Sequence, residues 1–316
     1  MKLLILIAVL AALLGLVEVW LRLGYGFGNP PLYVADDHIG YLLAPNQRLR
    51  RFGNLIAIND HSMRADAISP VPNANTLRIF LLGDSLANGG WWTDQSDILS
   101  VQIAQRVRNV LPANYRYVEP INASANSWGP RNELAYIQKY GTFGSQVLIL
   151  LLNTDDLFGT QPTPIQVGRD RSYPNRKPPF AIAEVASRLR KQPPIPGLRA
   201  IQSEGGDRVG KNIDAIAKIH KQVTAAGGHF ILVLSPLKRE LDGPKDYELV
   251  ARQRLQEWAK ASDAVYLDLL EPYRQHSPDP VTLYRDHIHL SAQGNELVAK
   301  QVANSISAYL SDGLNL

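Results

Sequence analysis

The chain has 316 residues, 45% hydrophobic and 20% charged, which bounds it to one large domain with additions or two smaller ones around a real core. It has no cysteine, so disulfides, zinc–thiolate sites and thiol nucleophiles are excluded. A net charge of +4 is too small an excess for a chain of this size to point to nucleic acid, and no helix-turn-helix or aromatic-basic signature accompanies it.

The first element is apolar. Leu3 to Val17 is uninterrupted; Glu18 breaks the run, Val19-Trp20-Leu21 resumes it and Arg22 ends it. About 19 such residues are just enough to span a bilayer, and Trp20 and Arg22 suit its interface. A cleaved signal would need small residues after its core, and Glu18-Val19-Trp20-Leu21-Arg22 is bulky. An uncleaved anchor over residues 1–22 is therefore expected in preference to a signal. Lys2 favours a cytoplasmic start, with the body of the protein outside the cytoplasm, or secreted if the segment is removed.

Residues 23–75, rich in Gly, Pro, Asn and aromatics, read as a small β-rich lead-in. Gln47 to Ile58 predicts a hairpin turning at Gly53-Asn54. Pro70 to Thr76 reads as a linker.

From residue 76 the pattern alternates. Strands are predicted at 77–82, 117–121, 146–152, 230–234 and 264–269, and helices near 96–110, 131–140, 207–226, 246–261 and 291–310. Strands alternating with helices predict a parallel sheet with helices on both faces. Residues 157–205 break this spacing. They hold eight prolines and a basic excess, with Phe180, Val185 and Leu189 spaced for a short amphipathic helix. Such an insertion is either a cover for an active site or a solvated loop.

Ile79-Phe80-Leu81-Leu82-Gly83-Asp84-Ser85-Leu86 places Asp84-Ser85 at a strand-to-helix corner, on the sheet edge where α/β proteins bind ligands. A serine there has an exposed hydroxyl and its own N–H among the open donors of a helix start, which suits a nucleophile facing an oxyanion. A plain helix cap fits the local sequence equally well. Near the other end, Asp286-His287-Ile288-His289 precedes the last helix and supplies a candidate base and its orienting acid. One His tract without other His, Asp or Glu clusters makes a poor metal site, and no metal or cofactor is expected.

With these blocks the sequence resembles the SGNH/GDSL hydrolase superfamily over about residues 77–311. Gly83-Asp84-Ser85-Leu86 is similar to its first block and Asp286 to His289 to its last. Asn122 to Ser127 resembles the second, which normally ends in glycine, and Asn153-Thr154-Asp155-Asp156 the third, normally Gly-x-Asn-Asp. Asn29 to Tyr33 and Ile58-Asn59 to Met63-Arg64 look like the lead-in of membrane-anchored members associated with bacterial polysaccharide modification. The resemblance implies a flavodoxin-like three-layer α/β/α sandwich with strand order 2-1-3-4-5. It also implies Ser85 as nucleophile, His289 as base and Asp286 as its orienting acid. Oxyanion donors would be the N–H groups of Ser85 and Ser127 and a side chain of the third block.

Two positions depart from the family pattern. Ser127 stands for glycine, so a residue with a Cβ must accept the backbone angles there. Asp155 stands for the donor asparagine, and an ionised carboxylate cannot donate. Asn153 is the expected substitute, a protonated Asp155 the alternative, and a crippled hole the third reading. Trp91, Trp92 and Trp128 lie beside the first and second blocks, where their flat faces either bind sugar rings or acyl chains or simply pack the helix onto the sheet. The expectation is an esterase or O-acyltransferase acting on acyl, chiefly acetyl, esters of a glycan, with polysaccharide-assembly proteins as partners. A non-catalytic glycan-binding protein that keeps the fold is the alternative from another class.

Overall fold

A computed structural model describes residues 1–276 and 278–312. Helix α1 (Lys2–Tyr25) projects almost bare, with Leu21 its one buried residue. Its most apolar window has a mean hydropathy of 2.7, so it is long and apolar enough to cross a membrane. Two hairpins follow, β1 (Tyr33–Asp36) with β2 (Gly40–Leu43), and β3 (Gln47–Arg51) with β4 (Asn54–Ile58). The second lies where the sequence predicts it, but its two turn residues are Phe52 and Gly53, both at positive φ. That is the twist a two-residue hairpin turn needs. The first hairpin carries no Asn-Gly or Asp-Gly signal that would announce it in the sequence.

Five strands form the main sheet: β5 (Thr76–Gly83), β6 (Tyr117–Ser124), β7 (Val147–Asn153), β8 (His229–Ser235) and β9 (Val265–Asp268). All neighbours pair in parallel, in the order β6-β5-β7-β8-β9, which is the expected 2-1-3-4-5. Strands β5 and β7 are buried along their whole length, as the middle of a sheet covered on both faces requires. Behind them come α2 (Ser85–Asn88), α3 (Leu99–Arg108), α4 (Pro130–Tyr140), α5 (Ala181–Leu189), α6 (Leu198–Gln202), α7 (Arg208–Ala225), α8 (Asp246–Ala261), α9 (Leu270–Arg274) and α10 (Ala292–Asp312). Helix α3 starts three residues later than predicted, because Asp94 folds back to accept from the N–H and hydroxyl of Ser96.

Two apolar layers result. On one face Leu77, Ile79 and Leu81 pack with α3 and α10; on the other Phe80 and Leu82 pack with α4 and α7 and with Tyr33, Ile39, Tyr41 and Ile58 of the hairpins. The lead-in thus shares the second layer. Arg64 ties it to the site. Its buried guanidinium donates to the carbonyls of Asn88 at 2.5 Å, Gly90 at 2.6 Å and Thr93 at 2.5 Å. This fixes the loop that carries Trp91 and Trp92.

The inserted helix α5 corrects a sequence expectation. Phe180 is 60% and Leu189 84% exposed, whereas Ala181 and Glu184 are buried. The helix turns this polar-centred face inward because Glu184 meets Arg51 at 2.7 Å and accepts from the Gly28 N–H at 2.7 Å. A buried ion pair therefore decides its orientation rather than an apolar stripe.

Candidate active site

The first block sits where β5 ends. A Cβ on Gly83 would come within 2.5 Å of the Leu151 carbonyl oxygen on β7, so this position needs glycine for strand contact. Asp84 then caps α2, its Oδ1 accepting from the Leu86 N–H at 2.8 Å. Capping and catalysis were rival readings of Asp84-Ser85; the structure gives the cap to Asp84 and leaves the Ser85 hydroxyl for another partner.

That partner is His289. Its Nε2 lies 3.0 Å from Ser85 Oγ, and its Nδ1 lies 2.8 Å from Asp286 Oδ2. Asp286 Oδ1 accepts from the N–H groups of Ile288 at 3.0 Å and His289 at 2.8 Å. Burial raises the Asp286 carboxyl, but these two N–H groups and the imidazole outweigh it and hold it at about 2. The loop itself is pinned. The Arg285 N–H donates to the His289 carbonyl, the Lys238 N–H to the His287 carbonyl at 3.0 Å, and the Tyr284 hydroxyl to Pro236 at 2.7 Å. His287, by contrast, has an 87% exposed side chain.

The indole of Trp92 meets the His289 ring edge-on, centroids 4.8 Å apart, and the Arg285 guanidinium lies over it. Trp91 is one step removed, packed on Phe52 at 4.6 Å. Trp128 is a correction. It is only 1% exposed, its Nε1–H donates to the Tyr41 carbonyl at 2.9 Å, and its ring packs on Tyr136. It is a core residue held between the lead-in and α4, and it borders the cavity with little of its ring open.

Ser127, where the resemblance calls for glycine, does adopt a left-handed backbone, with φ 57°. A hydroxyl-bearing residue tolerates this at modest cost. Its Oγ accepts from the Tyr173 hydroxyl at 3.1 Å, and the Tyr41 hydroxyl donates to the Asn126 carbonyl at 2.7 Å. These two tyrosines, one from the lead-in and one from the insertion, brace the second block, and nothing in their local sequence marks them for it.

At the third block, Asn153 is buried and its side chain faces two acids. Its Nδ2 donates to Asp84 Oδ2 at 2.9 Å and to Asp156 Oδ2 at 2.8 Å, and its Oδ1 accepts from the Asp155 N–H. Both amide hydrogens are engaged, so in this arrangement none is left for an oxyanion. Asp155 stands exposed at the rim.

Asp84 and Asp156, with Glu133 of α4, form a buried acidic group beneath Ser85. Burial pushes Asp84 up to about 6, against the pull of the Leu86 N–H, His289 and Asn153. Burial, then the charge of Asp84, pushes Glu133 well above the usual carboxylate range, and neither of its carboxyl oxygens has a hydrogen-bond partner. Such groups bind protons more tightly folded than unfolded, so stability falls as pH rises from the unfolded pKa near 4 through the folded values. Between pH 5 and 9 the melting temperature of Glu133→Gln should fall less than that of the parent. Parallel decline would show that Glu133 ionises freely.

The site opens into a cavity of about 780 Å³. Ser85, His289, Trp92, Asn126, Ser127 and Asp155 line it, together with Phe158, Gln161 and Tyr173 of the insertion. The insertion therefore walls the site. Among the described residues no group of His, Cys, Asp or Glu is arranged to hold a metal.

The model of the family described as GDSL-like lipase/acylhydrolase matches residues 81–297. Among solved structures the chain is similar to an acetylxylan esterase from Geobacillus stearothermophilus, at 10% identity over 76% of this chain and 96% of that one, TM-score 0.49. It is also similar to a lipase/acylhydrolase from Enterococcus faecalis, at 14% identity over 74% and 96%, TM-score 0.44. No curated protein matches it in sequence.

Proposed function

The chain belongs to the GDSL-like lipase/acylhydrolase family, and from that premise we propose that it is a membrane-anchored serine esterase or O-acyltransferase acting on acyl esters of a glycan. The observation that carries the proposal is the relay from Ser85 Oγ through His289 to Asp286, at 3.0 and 2.8 Å. His289 Nε2 takes the Ser85 proton as Oγ attacks the ester carbonyl. Asp286, held ionised, fixes the Nδ1–H tautomer and stabilises the imidazolium. The imidazolium then gives its proton to the departing alcohol. Water or a sugar hydroxyl, deprotonated by the same ring, resolves the acyl-enzyme. With Asn153 engaged elsewhere, the oxyanion is met by the backbone N–H groups of Ser85, at the start of α2, and of Ser127.

A glycan fits the wall of the cavity. Trp92 and Phe158 offer flat apolar faces, and Asn126, Gln161 and Gln166 offer amides between them. Anchoring is favoured by the end of α1. Glu18 accepts from the N–H groups of Ala181 at 2.8 Å and Ile182 at 3.0 Å, and Arg22 donates to the Pro179 carbonyl at 3.1 Å. A segment destined for removal would leave the start of α5 uncapped.

One experiment tests both parts. Membranes from cells making the protein are treated with a fluorophosphonate probe. A labelled band of 35.0 kDa that disappears in Ser85→Ala is expected. Folded protein that takes no label would sink the enzyme reading. A soluble labelled band shorter by the length of α1 would replace the anchor with a cleaved signal.

A further inference from the structure

A second concavity lies away from the catalytic centre. It measures about 930 Å³ and is formed by the insertion and α5. Its lining is basic. Arg169, Arg176, Lys177, Arg190 and Lys191 face it, and none of these side chains has an ion-pair or hydrogen-bond partner. Two more arginines line it but are occupied. Arg171 donates to the carbonyls of Ser187, Arg188 and Arg190 at the end of α5, and Arg188 pairs with Glu184 at 2.9 Å. Against these stand two acids, Asp170 and Glu184, and Glu184 is already paired with Arg51 and Arg188. Five exposed cations set against one acid outside any ion pair, Asp170, give the concavity a net positive field that draws an anion. Prolines 174, 178, 179 and 193 stiffen the wall, so the charges do not simply spread apart.

The place of this concavity decides among anions. Pro178, Pro179 and Glu184 line it. The same stretch is bonded to α1 at Glu18 and Arg22, one turn beyond the exposed apolar run Leu3–Val17. Trp20, 58% exposed, lies at the same level of the helix. With α1 in a bilayer, that level is the headgroup layer, where Trp and Arg collect and where clustered Lys and Arg attract anionic lipid. Phe180 and Leu189, the two large apolar side chains that α5 leaves in solvent, stand at its two ends and gain contact with the acyl boundary.

We propose that this basic concavity binds the phosphate headgroup of an anionic phospholipid. The assignment rests on α1 being a membrane anchor. Headgroup binding clamps the insertion to the bilayer, and because the same insertion walls the catalytic cavity, it sets how the site faces the membrane.

The test uses the 316-residue chain in mild detergent, followed by native mass spectrometry with phosphatidylglycerol or phosphatidylcholine. The variant is Arg176→Gln/Lys177→Gln/Arg190→Gln/Lys191→Gln. Its four side chains have no internal partners, so folding survives, which unchanged fluorophosphonate labelling checks. Binding of phosphatidylglycerol about tenfold or more tighter than phosphatidylcholine is expected, falling to parity in the variant and weakening with salt. Equal binding of both lipids, or a variant that keeps the preference, overturns the proposal. Inorganic phosphate and an oligogalacturonate are run alongside. If either binds as tightly as phosphatidylglycerol, the concavity is a soluble-anion or glycan site and the lipid assignment fails. The intact mass shows separately whether α1 is present, so loss of the anchor is not confused with loss of the lipid site.

Discussion

Ser85→Ala and His289→Ala should each lower kcat/KM for an aryl acetate by about 10⁴-fold or more, and the double variant should be hardly worse than either. The two side chains perform one event, transfer of the Oγ proton to Nε2 across 3.0 Å. Removing either end abolishes it, and what remains is binding and oxyanion stabilisation. Asp286→Asn should cost less than Ser85→Ala. An asparagine keeps an acceptor for the Ile288 and His289 N–H groups but offers the imidazolium no charge. His287→Ala should change the rate little, since that ring is exposed and not hydrogen-bonded to Ser85. If His287→Ala were as damaging as His289→Ala, the base would be misassigned. Additive losses in the Ser85/His289 pair would mean that the serine reacts without this imidazole.

The sheet was legible because each strand is an apolar run closed by a turn signal, and parallel order follows from the helices between. The relay was legible for a related reason. Its members lie in two short blocks at strand ends, and each block carries its own geometry: Asp84 caps α2 beside Ser85, and Asp286 binds the backbone of His289 three residues on. What could not be read is what comes together from distant segments. The burial of Trp128 depends on the lead-in carbonyl of Tyr41, 87 residues away. The orientation of α5 depends on Arg51, 133 residues before Glu184. The environment of Asn153 depends on Asp84, 69 residues back in the chain. In each case the local pattern was sound, and a buried polar partner from elsewhere overrode it. Arg64 is the opposite case. In the sequence only the family resemblance marks its place beside Met63, and the carbonyls it holds supply the physical reason for it.

Asn153→Ala is expected to lower both stability and rate, and the pairing of the two effects is the point. The amide bridges Asp84 and Asp156, two buried carboxyls that burial already pushes toward the neutral form. Leaving such buried acceptors unpaired costs roughly 1–3 kcal/mol each. Losing both bonds should lower the melting temperature by about 5–10 °C in a chain of this size. Without the amide, Asp84 is left to shift away from the first turn of α2, and Ser85 moves with its cap. A loss of about 10²-fold in kcat is expected from a nucleophile displaced by even about 1 Å. An oxyanion donor would behave differently: the rate would fall by a similar factor while the melting temperature stayed put. A second comparison separates the cases further. Asp84→Asn keeps the cap, because asparagine serves that position as well as aspartate, and it removes the carboxylate that Asn153 holds. If Asn153 acts through Asp84, adding Asn153→Ala to Asp84→Asn should cost much less than Asn153→Ala alone costs the parent, a coupling that contact pairs show in double-mutant cycles. If Asn153 touches the oxyanion, the two losses should add. Additive losses with an unchanged melting temperature would return the amide to the reacting centre and remove the backbone-only hole.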